Sequence, residues 1–414
     1  MRAELDRAAL PGPTLEDFHA ARDRVSAVVQ TTPMEVSRYL SDIVGVPVFL
    51  KAENLQRTGS YKIRGAYNRL SQLSPEERAR GVVAASAGNH AQGVALAARE
   101  LGIVATIYMP TGVALPKLQA TRDYGADVVL EGDIFDDTNA AAKAFAERTG
   151  ATFIPPFDHP DVVAGQGTLG LEILDQVPDV ATIVIPIGGG GLISGVASAI
   201  AQAAAARDIR IIGVQAHNAA PYVPSLAAGE IIPVAVGPTI ADGIAVARPG
   251  TLNFEIISRT VDDVVTVSDD DIARALVVLL ERAKLVVEPA GAAGVAALLA
   301  GVVEAEGPTV VVLSGGNIDP MVMERVISRG LAAAQRYLKV DIPLPDRPGQ
   351  LARIAELIAD ANANVVEVIH TRHGTGLLIN EVGIEIHMEP RGPTHAELVL
   401  SRLRDAGYRP RVTS

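Results

Sequence analysis

The chain is 414 residues long, room for two or three domains at about 150 residues each. A formal net charge of −12 and the lack of any basic run argue against nucleic acid and against an anionic membrane as partners. Hydrophobic residues make up 48%, aromatics only 4%, and cysteine is absent, so the core is aliphatic and disulfides, thiolate metal sites and thiol nucleophiles are excluded.

Met1 to Leu10 carry Glu4 and Asp6 and lack an apolar signal core, which leads to the expectation of a soluble cytoplasmic protein. From residue 45 to 330, short β-rich runs alternate with helical stretches, the βαβ pattern of an α/β fold with parallel-type sheets. Strands are expected at Val48–Leu50, Val82–Ala85, Val104–Tyr108, Val128–Leu130, Thr182–Ile187, Ile209–Gln215 and Val310–Leu313. Helices are expected at Ala91–Leu101, Leu192–Ala206 and Ile272–Leu285. The uncharged run from Val180 to Ala206 is longer than the roughly 18 residues that suggest a membrane span. Pro186 and Gly188 to Gly191 divide it into a strand and a helix, each too short to cross.

Lys62 is one of six lysines, and it stands in Gly59-Ser60-Tyr61-Lys62-Ile63-Arg64-Gly65 with Ser60 as the expected N-cap of a helix running to Leu70. A cation in the first helical turn opposes the macrodipole. Beside a phosphate or an aldehyde the position becomes favourable, because desolvation and the dipole both lower the pKa and supply the neutral amine that forms a Schiff base. Taken alone, the segment also fits an ordinary surface lysine.

Further along, Ser86-Ala87-Gly88-Asn89-His90 follows one strand and opens a helix. Backbone amides, a hydroxyl and a side-chain amide at such a junction suit a carboxylate, and equally a plain helix cap. Gly188-Gly189-Gly190-Gly191-Leu192 follows another strand and enters a helix, so its N–H groups can converge on an anion. The dinucleotide fingerprint fails there, since Ser194 stands where its last glycine would fall, and no Gly-Lys pair exists for a Walker loop. A single phosphate fits best. Finally, Val310 to Leu313 runs into Ser314-Gly315-Gly316-Asn317, where a serine at a strand end can pair with a ring nitrogen without protonating it.

Near Gln335 the pattern changes. Leu338, Val340, Ile342 and Leu344 alternate, as do Val382, Ile384, Ile386 and Met388, and both runs read as half-buried strands. Leu351, Ile354, Leu357 and Ile358 form one helical stripe, Ala396, Val399, Leu400 and Leu403 another, and Tyr408 to Val412 a last strand. The order βαββαβ is a small ferredoxin-like unit. A domain of residues 1–330 is therefore expected before a second domain of residues 336–414.

Together, Ser60-Tyr-Lys-Ile-Arg-Gly65, Ser86-Ala-Gly-Asn-His-Ala-Gln-Gly93, Gly165-Gln-Gly-Thr168, Gly188 to Leu192, Glu288-Pro-Ala-Gly-Ala292 and Ser314 to Asn317 resemble the threonine and serine dehydratases of the tryptophan synthase β-subunit group. The resemblance implies that fold, in two lobes with the smaller, over 52–155, inserted in the larger, and pyridoxal phosphate as cofactor. It implies Lys62 as the Schiff-base lysine and Cα base, and Gly188, Gly189, Gly190, Gly191 and Leu192 around the cofactor phosphate. It places Asn89 on the ring hydroxyl, Ser314 on the pyridine nitrogen, and Ser86, Ala87, Gly88, Asn89 and His90 around the substrate carboxylate. The implied reaction is elimination of water from L-threonine to give 2-oxobutanoate and ammonia, with L-serine as a second substrate giving pyruvate. Hydroxide is a poor leaving group that needs an acid, which in that family is the cofactor phosphate.

Racemases of the group carry a second serine where Ala87 stands, which favours elimination over racemisation here. They also hold a divalent cation through acidic residues after the strand that ends at Gln215, and Gln215 to Pro221 contain no carboxylate, so no such metal is expected. The C-terminal unit resembles an ACT domain. By resemblance an amino-acid effector, isoleucine or valine, would bind at Asp346-Arg347-Pro348-Gly349 and near Asn364, and the chain would form a homo-oligomer. The competing readings are a purely structural pairing module for that unit, a replacement lyase of the cysteine or threonine synthase type, and a non-catalytic amino-acid sensor.

Overall fold

Short β-branched runs pair into three sheets in the computed structural model, which describes residues 10–205, 207–333, 336–372 and 380–413. Glu4, Asp6, Ala206 and Gln335 lie outside the described residues. The chain divides into two compact units, Met1–Asp319 and Pro320–Ser414.

The first unit begins with α1 (Leu15–Val25), β1 (Met34–Val36), α2 (Arg38–Val44) and β2 (Val48–Lys51). The segment that follows holds α3 (Lys62–Ser71), α4 (Pro75–Arg80), β3 (Val82–Ala85), α5 (Asn89–Leu101), β4 (Ala105–Met109), α6 (Leu115–Asp123), β5 (Asp127–Leu130), α7 (Phe135–Thr149) and β6 (Thr152–Phe153). Then come α8 (Pro160–Gln176), β7 (Thr182–Pro186), α9 (Gly191–Ala203), β8 (Arg210–Ala216) and α10 (Tyr222–Ala228). The unit closes with α11 (Thr251–Thr260), β9 (Asp263–Val267), α12 (Asp269–Val278), α13 (Pro289–Leu299) and β10 (Thr309–Val312).

The larger sheet has the order β1-β2-β10-β7-β8-β9 and is parallel except for β1 at its edge. The smaller, β5-β4-β3-β6, is wholly parallel and uses only strands from the segment between β2 and β7. Every residue of β3, β7 and β10 is buried, as continuous apolar strands covered on both faces should be. Alternation still sorts the faces: Val82 and Ala84 join Ile107 and Met109, whereas Val83 and Ala85 join Tyr108 and Ala142.

The strands expected in this unit lie within a residue or two of their observed ends, whereas the last strand of the chain, expected over Tyr408 to Val412, is only Arg411–Val412. Two helices differ. The one expected from Leu192 ends at Ala203. The one expected over Ile272–Leu285 is α-helical only to Val278, then widens into a π-turn, Leu279–Ala283, stopped by Lys284 at φ 60.

Helices α3, α5, α8 and α9 meet backbone to backbone. A Cβ at Gly165 would stand 2.5 Å from the Arg64 carbonyl oxygen and 2.6 Å from Gly65 Cα, and one at Gly195 would stand 2.6 Å from Gly167 N. A Cβ at Gly93 would stand 3.2 Å from the Lys62 carbonyl carbon. Larger residues at these seams would overpack them at a cost of about 1–3 kcal/mol each.

Behind α3 lies a buried charge network. Arg64 donates to both carboxylate oxygens of Glu53 at 2.8 and 2.7 Å and to Glu172 at 2.9 Å. Lys51 completes it, with Glu172 at 2.5 Å and the Thr32 carbonyl at 2.8 Å. Burial opposes ionisation of Glu53, yet the Arg64 guanidinium outweighs it and holds the carboxyl below its ordinary range. The network ties β2, α3 and α8 into one block.

The second unit contains α14 (Pro320–Ala333), β11 (Leu338–Pro345), α15 (Gln350–Asp360), β12 (Asn364–Thr371), β13 (Glu381–Glu389), α16 (Pro393–Asp405) and β14 (Arg411–Val412). From β11 onward this is the expected βαββαβ order, with an antiparallel sheet β12-β13-β11-β14. Val340, Ile342, Ile384 and Ile386 pack against Ile354, Ile358, Val399 and Leu403, so the two predicted stripes and two alternating strands form one core.

Candidate active site

Lys62 is the first residue of α3, and its amine donates to the Pro156 carbonyl at 3.0 Å. Desolvation lowers its pKa to about 8, against the opposing pull of Glu288. Ser60 is not the N-cap expected from the sequence. Tyr61 takes that place without a side-chain cap, because Ser60 is drawn into an antiparallel bridge with Gly315. Around that bridge, Tyr61 N–H donates to the Ser314 carbonyl at 3.2 Å and Gly316 N–H to the Gly59 carbonyl at 2.8 Å. Two segments some 250 residues apart, as the 259-residue separation of Thr58 and Asn317 shows, are thus zipped together.

The glycine loop lies between β7 and α9. Gly190 is left-handed at φ +101, where an L side chain is strained, and a Cβ there would also collide with the Tyr222 hydroxyl. A Cβ at Gly189 would collide with the Phe157 ring. The Gly189 carbonyl accepts from Tyr222 Oη at 3.0 Å, Asn253 Nδ2 at 3.1 Å and Gly250 N–H at 3.2 Å, which fixes the loop's peptide planes. Whereas α1, α4 and α12 carry capping boxes, α9 has a buried first turn, Gly191 and Leu192 included, with no side-chain cap. Uncapped N–H groups at a buried helix start suit an anion.

The same holds at α5. Ser86 accepts from Gly88 N–H at 3.1 Å, Gly88 forms the N-cap without a side-chain cap, and a Cβ on Gly88 would meet nothing within 4 Å. Ser86, Ala87, Gly88 and Asn89 are half-buried around that open space. His90 is different: its Nε2 lies 3.0 Å from the Ile154 carbonyl, and burial with the nearby Lys62 charge lowers its pKa to about 3. The neutral ring is committed to the fold, leaving only the backbone N–H of His90 for a ligand.

Asn89 Nδ2 donates to Glu288 at 2.7 Å, and its Oδ1 accepts from Asn317 Nδ2 at 2.8 Å. Burial raises the Glu288 pKa to about 7, and Asp242 adds to the rise, while Asn89, Lys117 and Lys62 oppose it. Lys117 on α6 pairs with Asp242 at 2.6 Å. Lys62, Asn89, the glycine loop and Ser314 are therefore gathered around one site, together with Pro156, Phe157, Tyr222 and Asn253, which no motif above contains, and with Glu288 and Asn317, which stand in quoted segments without a role. The two prolines at 155 and 156, between a strand and a helix, were the available signal for the first pair.

In the second unit, Gly349 is left-handed at φ +87 and precedes α15, again without a side-chain cap. Asp346 faces Arg372 at 3.6 Å, and Arg347 and Pro348 complete the turn. Asn364 is not beside them. The register pairs Pro345 with Glu381 but Asn364 with Glu389, so the turn and Asn364 occupy opposite ends of the sheet. Among the described residues, no group of three or more His, Asp or Glu side chains could hold a metal ion, and no helix is long and apolar enough to cross a membrane.

The pyridoxal-phosphate dependent enzyme family matches residues 25–315, and the ACT domain family matches residues 342–407. An L-threonine ammonia-lyase of Geobacter sulfurreducens is 50% identical over 389 residues, covering 94% of this chain and 96% of the relative. One of Thermotoga maritima is 47% identical over 400 residues, covering 96% and 99%. The processed form of threonine deaminase isoform 2 from Solanum lycopersicum superposes with a TM-score of 0.73 at 39% identity, covering 77% of this chain and 95% of its own. On these grounds the chain belongs to the threonine ammonia-lyase family of pyridoxal-phosphate dependent enzymes.

Proposed function

We propose that this chain converts L-threonine to 2-oxobutanoate and ammonia, accepts L-serine as well, and answers to an amino acid through its ACT domain. The observation that carries this reading is a half-buried lysine of lowered pKa placed among two uncapped helix starts, Asn89 and Ser314.

The residues fit pyridoxal phosphate. The α9 start is buried, lacks a side-chain cap and is shaped by glycines, as a phosphate cradle needs. When bound, the cofactor supplies an electron sink for charge developing at the substrate Cα. Lys62 tethers it and then, as a free amine, takes the Cα proton. The Gly188–Leu192 amides hold the phosphate, Asn89 orients the ring, and the Ser314 hydroxyl meets the ring nitrogen without a charge. The N–H groups from Ser86 to His90 hold the substrate carboxylate in the open space above Gly88. Ala87 offers no group to return a proton from the opposite face, which keeps the chemistry on elimination.

In this reading residues 1–330 perform catalysis and residues 336–414 sense an effector, isoleucine or valine, at the Asp346–Gly349 turn. Asn364 would reach the turn only from a second copy. The exposed Val366, Val368 and Ile369 on the edge strand β12 support such pairing, hence a homo-oligomer. Pyridoxal phosphate added to the purified chain should produce visible absorbance, and a coupled assay should detect 2-oxobutanoate from threonine. A protein that stays colourless with the cofactor in excess would refute the reading.

A further inference from the structure

An amide side chain has two ends of nearly equal shape and opposite hydrogen-bonding sense, so what surrounds Asn89 decides which end faces the site. The Thr58 carbonyl can only accept, and it takes a hydrogen bond from Asn317 Nδ2 at 2.7 Å. That same NH2 group can only donate, and it meets Asn89 Oδ1 at 2.8 Å. The Asn89 NH2 is thereby turned toward Glu288, whose Oε1 accepts at 2.7 Å. Glu288 is itself buried at 6% exposure, and Asn89 is its one hydrogen-bond donor among the described residues. Gly315 is required beside it, because a Cβ there would collide with Oε1. The Asn89 NH2 retains a second N–H with no acceptor among the described residues.

We infer that Glu288 and Asn317 are positioning residues that clamp the Asn89 amide from both sides, so that its remaining N–H is presented to the ring oxygen of the cofactor. The inference rests on the site reading above and adds to it the reason why Asn89 faces the ring as a donor. A carbonyl oxygen in that place would repel the ring oxygen instead. The clamp also links the cofactor ring to Thr58, on the segment that leads into Lys62. The amide is thus tied by hydrogen bonds to the segment that carries the lysine.

The test uses the full chain stripped of cofactor and titrated with pyridoxal phosphate, following visible absorbance for affinity and for its pH midpoint, with thermal unfolding as the control for folding. Asn317→Asp places acceptors where the NH2 stood and should invert the Asn89 amide. Affinity should fall by about tenfold, the loss of one hydrogen bond to a charged group, and the pH midpoint of the absorbance should move. Glu288→Leu removes the other jaw and should weaken binding to a similar degree, whereas Glu288→Gln keeps an acceptor oxygen and should restore affinity to within about twofold of the parent. An Asn317→Asp protein that melts like the parent and binds the cofactor with unchanged affinity and spectrum would overturn the clamp. Should that variant not fold, equal affinities of Glu288→Leu and Glu288→Gln would overturn it as well. A parent chain that binds no cofactor refutes the enzyme reading instead, so the two failures are distinct.

Discussion

The Lys62 amine donates to the Pro156 carbonyl at 3.0 Å, so the loop before α8 holds the reactive group of α3 in place. A carbonyl can steady the amine but cannot take its proton. With a pKa of about 8, the neutral fraction grows about tenfold per pH unit below that value. The rate of visible-absorbance formation on adding pyridoxal phosphate should climb with pH and level off above about 8. Lys62→Ala should abolish that absorbance and reduce 2-oxobutanoate formation by more than about a thousandfold.

Glu288 gives the cofactor-free protein a pH dependence of definite sign. Its folded pKa is about 7 against an ordinary 4.5, so between those values the folded chain holds a proton that the unfolded chain releases. Stability should therefore fall as pH rises from 4.5 to 7, by on the order of 3 kcal/mol. Thermal unfolding across this window should show Glu288→Gln with a flatter profile than the parent. Asp242→Asn, which removes a negative neighbour, should shift the fall to lower pH.

Gly190→Ala should damage the phosphate cradle in two ways, through left-handed strain of about 1–2 kcal/mol and through collision with Tyr222. Cofactor affinity should drop by at least about tenfold. Adding Tyr222→Phe relieves the collision alone and should recover only part of the loss. Full recovery would show that the backbone conformation is immaterial.

Two ion pairs should behave in opposite ways. Arg64→Met strands Glu53 at 0% exposure and leaves two buried carboxylates facing one lysine, at a cost of about 3–5 kcal/mol. The cofactor-free protein should melt roughly 6 °C lower or more. Lys117→Ala breaks a pair whose Asp242 partner is 64% exposed, and such pairs contribute about 1 kcal/mol or less. Its melting temperature should barely move.

Strands and site loops were legible in the sequence to different degrees, for physical reasons. Val82–Ala85 and Thr182–Ile187 announce themselves because a doubly covered parallel strand must be apolar throughout. Helix α13, Pro-Ala-Gly-Ala-Ala-Gly-Val-Ala-Ala-Leu-Leu, has ten of its eleven residues buried, so no stripe marks it and periodicity is silent. Lys62 and the glycine loop could be read locally, since a helix start and a four-glycine turn carry their own chemistry. Ser60 misled for the converse reason: capping logic sees only the neighbouring helix, and the bridge to Gly315 comes from far along the chain. Glu288 stood in a quoted segment but its role depended on Asn89, 199 residues away. In the second unit, alternation marks the strands at Leu338 and Val382 but not β12, whose residues are nearly all exposed, so only the register shows that Asn364, placed near the Asp346–Gly349 turn by resemblance, lies at the other end of the sheet.

The glycine seams between α3, α8 and α9 have a consequence for how this enzyme can diversify. Where two backbones already touch, there is no side chain to trim and no room for one to grow. The distance between the lysine and the phosphate cradle is therefore closed to gradual adjustment. New substrate preferences must be sought in the loop at Ala87 and the open side of Gly88, where a changed side chain alters the guest without disturbing the frame.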